Sequence, residues 1–132
     1  MIEIQRKAID VEAVVDSVRR DDAGALVLFL GSVRSDPGVE ALDYEVYRPM
    51  ALKKMHEIAE AARKKFGVLE VSIVHRLGRI KLGGDSVAIA ASAGPGFAAS
   101  TVCAAGADPI RPARPASDTV PTNARRSSCG MG

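Results

Sequence analysis

The chain has 132 residues, a length that suits one domain with a sizeable core. Its 47% hydrophobic and 26% charged residues are ordinary for a globular protein, so the composition excludes disorder of the whole chain. A net charge of +2, an aromatic content of 4% and the lack of Trp argue against a nucleic-acid-binding protein.

Nothing in the sequence predicts secretion, a membrane span or a metal site. The opening "MIEIQRKAID" has charges every few residues and no apolar core of a signal peptide, and no window approaches the ~20 apolar residues of a membrane span. Cys103 and Cys129 have no CxxC spacing, and His56 and His75 are far apart. We therefore expect a cytoplasmic protein without a disulfide framework, metal ion or cofactor.

The first third of the chain predicts a strand, a helix and a second strand. "IEIQRKAI" alternates as a short strand, and Asp10 stands where the N-cap of a helix over residues 11–20 belongs. "ALVLFLGSV" follows as a nearly continuous apolar run, which is typical of a strand covered on both faces. We predict that this strand is central in its sheet.

The middle of the chain predicts one long helix among four strands. "ALDYEVY" alternates as a half-buried strand, Pro49 suits the first turn of the helix that follows, and Gly67 ends it. The apolar stripe of this helix consists of Leu52, Met55, Ala59, Ala62 and Phe66. "LEVSIVHRLG", "RIKL" and "SVAIAASA" then predict three strands, with "GGD" as the turn between the last two. This order predicts an α+β fold in which both helices cover the sheet.

The composition changes at Gly94. The last 39 residues contain no Lys, Glu, Leu or His, and they include five of the seven prolines and both cysteines. We therefore divide the chain into a body, residues 1–93, and a tail, residues 94–132, whose composition is typical of disorder. A change of reading frame near codon 93 of a GC-rich gene explains the tail, and a genuinely divergent C-terminus is the alternative. The "AGPGF" at this boundary matches neither a Walker loop nor a dinucleotide fingerprint.

Two stretches contain residues suited to binding an anion. In "FLGSVRSDPG", Gly31 permits close approach of a ligand to the backbone, and Arg34 offers a planar guanidinium for a phosphate or carboxylate. The structural alternative is that Gly31 forms a bulge and Arg34 a surface salt bridge. In "HRLGRIKLGGD", His75 and Arg76 end a strand. The structural alternative is that His75 is a hydrogen-bonded structural histidine, which is the commoner case, and that Arg76, Arg79 and Lys81 protect an exposed strand edge.

In order along the chain, "DDAGALVLFLGSVRSDPG", "ALDYEVYRPMA" and "IAEAARKKFGVLEVSIVHRLGRIKLGGDSVAIAASA" resemble the catalytic, large subunit of molybdopterin synthase. The resemblance covers about residues 1–93. It implies an α/β hammerhead fold with a small added antiparallel β-subdomain, and a homodimer that forms a heterotetramer with two carrier subunits. The carrier is a small ubiquitin-like protein whose C-terminal Gly-Gly thiocarboxylate donates sulfur. The implied reaction is a sulfurtransferase step of molybdenum cofactor biosynthesis, in which cyclic pyranopterin monophosphate receives the two sulfurs of the molybdopterin dithiolene.

The resemblance also implies a set of substrate-binding residues. Arg34 matches an arginine of the substrate's anion pocket, with Ser32 and Val33 beside it, and Phe29 matches an aromatic position nearby. Arg63 and Lys65 fall in a basic segment at the end of the long helix.

The tail departs from the family pattern, in which His-Arg, a helix and two catalytic lysines follow the last strand. Gly94-Pro95 replaces His-Arg, and no lysine follows Lys81, so the catalytic residues of this chain are unknown. Arg111, Arg114, Arg125 and Arg126 cannot take over the proton transfers of lysines, because a guanidinium stays protonated.

The sequence leaves three hypotheses open. The chain is a sulfur-transferring enzyme subunit, or it is a catalytically impaired homologue that only dimerises or binds the carrier. The third hypothesis is a small domain that binds a phosphorylated ligand through Arg34 and Arg76.

Overall fold

The structure is a computed structural model, and it describes residues 1–94 together with the backbone of Arg114–Pro115. The predicted disordered tail and the Gly-Pro-Gly loop therefore lie almost entirely outside the described residues. The elements are β1 (Ile2–Gln5), α1 (Val11–Asp16), β2 (Ala25–Ser32), β3 (Ala41–Tyr44), α2 (Arg48–Phe66), β4 (Val68–Arg76), β5 (Gly78–Lys81), β6 (Asp85–Ala93) and β7 (Arg114–Pro115).

The strands form two sheets. The larger sheet has the order β1-β4-β6-β2, in which β1 pairs with β4 in parallel and β6 is antiparallel to both of its neighbours. The smaller sheet has the order β5-β3-β7 and is antiparallel throughout. This arrangement confirms the predicted α+β fold with a small antiparallel β-subdomain.

The two helices cover opposite faces of the larger sheet. On one face, Met55 and Ala59 of α2 pack in a cluster with Ile73 and Ile89 of the central strands. On the other face, α1 contributes Val14 to a smaller cluster that contains Val74 and several alanines of β6. Since successive residues of a strand face opposite sides, β4 and β6 serve both clusters, and this explains their nearly continuous burial.

Local chemistry sets the helix ends. The Asp10 side chain accepts a hydrogen bond from the backbone N–H of Ala13 and caps α1, as its position in the sequence predicts. Helix α2 has Pro49 in its first turn, and Gly67 ends it with φ of 64°, a left-handed conformation that glycine adopts without strain. The predicted ends of α2 and the predicted cap of α1 are therefore confirmed.

Helix α1 is shorter than predicted. It ends at Asp16 rather than near residue 20, and the backbone N–H groups of Val18 and Arg19 bond to the carbonyls three residues earlier. The chain thus leaves the α-helical geometry through a tighter final turn, which the spacing of valines does not reveal.

One prediction about strand placement is wrong. β2 is an edge strand of the described sheet, not a central one, and Leu28, Phe29 and Leu30 are 37%, 36% and 39% exposed. β5 and β6 follow each other through the predicted turn, but they belong to different sheets. The glycine at residue 83, with φ of 80°, reverses the chain without making the two strands partners.

Candidate functional site

Strand β2, at the edge of the described sheet, contains two of the predicted substrate-binding residues, Phe29 and Ser32, and two more, Val33 and Arg34, follow directly after it. Phe29 lies opposite Ile89 of β6, and the pairing slips by one residue between Gly31 and Ser32, which is a β-bulge. Bulges re-aim the side chains that follow them. The bulge that the sequence offered as an alternative is therefore present, directly before the predicted anion-binding segment.

The turn between β5 and β6, residues 83–85, binds the end of β2 through three hydrogen bonds. The backbone N–H of Val33 donates to the carbonyl of Gly84 at 2.9 Å, and the N–H of Gly83 donates to the carbonyl of Val33 at 2.8 Å. The hydroxyl of Ser32 donates to Asp85 Oδ1 at 2.6 Å. Val33 itself is 2% exposed and packs in the core. The backbone at the residue before Arg34 is consequently fixed.

Arg34 projects from this fixed backbone into solvent. Its Nε lies 3.6 Å from Asp36 Oδ2, and about half of the side chain is exposed. An exposed pair at this distance contributes little to stability. A guanidinium carries five N–H donors, so this single contact leaves most of its binding capacity to an anionic ligand. The salt bridge and a ligand-binding role are thus compatible.

Arg76 ends β4 on the other side of β6. Its Nε is buried and has no hydrogen-bond partner among the described residues. A Cβ on Gly84 would lie 3.9 Å from the Arg76 Nη1, which places this guanidinium beside the 83–85 turn. The same Cβ would lie only 2.6 Å from Ile80 Cγ2, so this position requires glycine. The residue before Arg76, His75, is 2% exposed and belongs to the interior of the sheet.

Arg63 and Lys65 lie at the opposite end of the larger sheet. Arg63 donates to Glu60 Oε1 at 2.7 Å and to Glu70 Oε2 at 3.3 Å, and Glu70 lies opposite Ser92 near the start of β4. The Lys65 ammonium is 5.4 Å from the centre of the Phe66 ring. The eight residues of β2 span roughly 25 Å, so one chain does not bring these two cations to Arg34.

Arg20 joins the charged groups at the Arg63 end. It forms two hydrogen bonds with Asp22, at 2.7 and 2.9 Å, and its Nη1 lies 3.6 Å from Glu70 Oε1. The hydrogen bond from Arg20 holds the pKa of Asp22 below its ordinary value, and the same bond raises the pKa of Arg20. A cavity of about 230 Å³ adjoins these groups, with Gly24 and the buried Ser92 in its wall. Both arginines in its wall, Arg19 and Arg20, are already paired with carboxylates.

The structure brings some of the predicted site residues together and separates others. Ser32, Val33 and Arg34 are consecutive at the end of β2 and Phe29 lies earlier on the same strand, whereas Arg63 and Lys65 lie at the other end of the sheet. The contact between Ser32 and Asp85 was missed because 53 residues separate the two in the sequence. The only sequence signal of this contact is the predicted "GGD" turn, whose backbone forms hydrogen bonds with Val33 at the end of β2.

Within residues 1–94, no group of three or more His, Cys, Asp or Glu is placed to bind a metal ion. No helix of the described part combines the length and apolar character that crossing a membrane requires.

Replacing Gly31 by alanine tests the close packing beneath this site. A Cβ at Gly31 would lie 2.5 Å from Val87 Cγ1, so either the Val87 side chain or the β2 backbone must move. We expect a loss of about 1–3 kcal/mol in the free energy of unfolding, the usual cost of overpacking. Urea denaturation measures this loss, and Gly94→Ala is the control because a Cβ there meets no atom of residues 1–94 within 4 Å. Equal stability of the two variants would contradict the close contact between Gly31 and Val87.

Comparison with protein families gives a match over most of the chain. The model of the family described as MoaE protein matches residues 4–111, which include residues on both sides of the predicted boundary after Ala93.

Individual proteins agree with this match. The chain is 38% identical over 105 residues to a molybdopterin synthase catalytic subunit from Thermoplasma volcanium, covering 77% of each chain. It is 40% identical over 87 residues to a protein of the same name from Pyricularia oryzae, over 64% of this chain and 48% of the other. The chain therefore spans about half the length of that relative.

A solved structure shows the same fold. The crystal structure of molybdopterin synthase from Staphylococcus aureus aligns with a TM-score of 0.64 and 35% identity, covering 68% of each chain. The family match covers well over half of this chain, and the resemblance seen in the sequence is thereby confirmed. The chain belongs to the MoaE protein family.

Proposed function

We propose that this chain is the catalytic subunit of a molybdopterin synthase in the cytoplasm and acts in molybdenum cofactor biosynthesis. It binds cyclic pyranopterin monophosphate and receives sulfur from the C-terminal thiocarboxylate of a small ubiquitin-like carrier. Family membership supports the assignment. The main structural support is Arg34, whose side chain is half exposed and follows a backbone that hydrogen bonds hold in place. A phosphorylated pterin needs such a cation, since a preset guanidinium supplies charge and orientation together.

Residues of the Arg34 segment have separate roles in this proposal. Arg34 binds the phosphate, Ser32 and Val33 set its position through the 83–85 turn, and Phe29 offers a partly exposed ring five residues earlier, on β2. No cofactor takes part, because the sulfur comes from the partner protein.

The two separated groups of predicted substrate-binding residues favour a homodimer. β2 is the edge of the described sheet and exposes three successive apolar residues at its middle, Leu28, Phe29 and Leu30. If two copies pair their β2 edges antiparallel about a two-fold axis, the end of one β2 lies beside the start of the other. Arg34 of one copy then approaches the end of the partner sheet that carries Arg63 and Lys65. A single substrate pocket would contain both groups.

Leu30→Lys tests this pairing. In the dimer, a lysine in the middle of the shared edge would lose the hydration of its ammonium group. We therefore expect the dimer dissociation constant to rise at least about tenfold. Leu82→Lys is the matched control, because Leu82 is a similarly exposed leucine, at 41%, outside β2. Sedimentation equilibrium measures both variants. A monomeric parent chain, or a Leu30→Lys variant that dimerises as well as Leu82→Lys, would rule out the β2 interface.

The activity itself is tested by mixing the full chain with thiocarboxylated carrier and cyclic pyranopterin monophosphate. Mass spectrometry should detect a pterin product that has gained two sulfurs. The absence of lysine after Lys81 favours a second candidate, a homologue that binds the carrier or dimerises without transferring sulfur. Carrier that co-purifies with the chain while no sulfurated pterin forms would establish this second candidate and exclude the first.

A further inference from the structure

We propose that Arg76 is a second phosphate-binding residue of this chain and that it acts together with Arg34 across the 83–85 turn. The identity of the phosphorylated ligand rests on the proposed function, whereas the pairing of the two arginines rests on the geometry alone. Arg76 lies outside the segments that the resemblance associates with substrate.

The two arginines flank the same strand end. Arg34 follows β2, Arg76 ends β4, and β6 runs between these strands in the sheet order. Neighbouring strands are about 4.8 Å apart, so the backbones of β2 and β4 are on the order of 10 Å apart. Two arginine side chains can meet one phosphate group across that distance. The 83–85 turn contacts both sides, through its hydrogen bonds to Val33 and its approach to the Arg76 guanidinium.

Both side chains extend from backbone that the sheet holds in place. Val74, two residues before Arg76, packs in the cluster on the α1 side, so Arg76 lies on that side of β4. Arg34 follows the buried Val33 just beyond the end of β2, and about half of its side chain is exposed.

The Arg76 Nε supplies an independent observation. Buried donors are almost always paired, and an unpaired one in a folded protein calls for an explanation. Among the described residues, this N–H has no partner, and it belongs to a cation beside the turn that fixes Arg34. An anion that enters between the arginines accepts this hydrogen bond and a second one from the same planar group.

Two carboxylates stand close to the proposed pocket. Asp36 lies 3.6 Å from Arg34, and Asp85 accepts the hydroxyl of Ser32. Within one chain, Arg34 without Arg76 would be a single cation for which the anion competes with Asp36. With Arg76 present, the pocket has two cations. The anion then has to displace only Asp36, because Asp85 keeps its hydrogen bond from Ser32. In this proposal, the second arginine therefore increases the affinity of the turn for a phosphate.

Nitrogen-15 NMR of arginine side chains on the full wild-type chain tests the proposal with inorganic phosphate as the probe. We expect the Nε–H signals of Arg34 and Arg76 to shift with one common dissociation constant. The signal of Arg79, an exposed arginine on β5, should not move with them. A shift of Arg34 without Arg76, equal shifts of Arg76 and Arg79, or the lack of any phosphate binding would overturn the inference. This measurement requires no variant that has to fold.

Substitution provides the second readout. Arg76→Gln should weaken phosphate binding at least about tenfold, and Arg79→Gln, which removes the same charge nearby, by less than about twofold. Equal losses of phosphate affinity in Arg76→Gln and Arg79→Gln would overturn the proposal. A chain that binds phosphate through both arginines but forms no sulfurated pterin retains this inference and loses the proposed function. If the chain transfers sulfur but its Arg76→Gln variant binds phosphate as tightly as the parent chain, the proposed function is retained and this inference is lost.

Discussion

Replacing Arg34 by glutamine should raise the KM for cyclic pyranopterin monophosphate between about tenfold and a hundredfold. A hydrogen bond to a charged group contributes about 1.5–3 kcal/mol, and each 1.4 kcal/mol corresponds to a factor of ten. Arg34 is half exposed and forms only a long ion pair, so the free energy of unfolding should change by less than about 0.5 kcal/mol. The variant therefore separates substrate binding from folding.

Arg19→Gln is the matched control for this prediction. Arg19 is also exposed and pairs with an aspartate three residues away, at 3.1 Å, but it lies on the chain that follows α1. Arg34→Lys should recover only part of the lost affinity, because an ammonium keeps the charge without the planar fork. Steady-state sulfur-transfer kinetics with saturating carrier measure all three variants. An unchanged KM in Arg34→Gln, or an equal rise in Arg19→Gln, would remove Arg34 from the substrate pocket.

The parts of the fold that follow local rules were predictable from the sequence. The Asp10 cap, Pro49 in the first turn of α2 and the left-handed Gly67 each depend on residues within a few positions. The apolar stripe of α2 was predictable for the same reason, since helical spacing places its members on one side. These features need no knowledge of distant strands.

The position of β2 was not predictable, and the reason is physical. A continuous apolar run indicates that both faces of a strand are to be covered, but it does not say by what. In this chain β6 pairs with only one edge of β2, and the apolar side chains near its middle stay partly exposed. If the proposed homodimer forms, the run reflects burial by a second copy rather than within one chain. Sequence pattern alone does not distinguish these cases.

The candidate site was predictable only where its residues are consecutive. Phe29, Ser32, Val33 and Arg34 share one strand and its end, so a motif in one stretch identifies them together. Asp85 joins them through a strand pairing that spans 53 residues. Arg76 joins through a turn whose backbone, not its side chains, makes the connection. Pairings of this kind depend on the sheet order, which the order of elements along the chain leaves open.

Replacing Met55 by alanine should produce the largest loss of stability among single changes in α2. Met55 is fully buried and belongs to the cluster between α2 and the sheet. Truncation of a buried methionine costs about 2–5 kcal/mol, through lost transfer free energy and the cavity that remains. The free energy of unfolding of a domain of this size is about 5–15 kcal/mol in total, so the variant lies near the limit of folding. Each kcal/mol lowers the Tm by about 4–8 °C.

Met50→Ala is a control within the same helix. Met50 is 60% exposed, so this variant makes the same chemical change without leaving a cavity. The small difference in helix propensity between methionine and alanine is shared by both variants, and only the packing of Met55 separates them. Thermal unfolding followed by circular dichroism should show a Tm for Met50→Ala close to that of the parent chain. If Met55→Ala does not fold, Met55→Leu, which conserves volume, should recover a Tm near the parent value. Similar Tm values for Met50→Ala and Met55→Ala would mean that α2 does not pack against β4 and β6 through Met55.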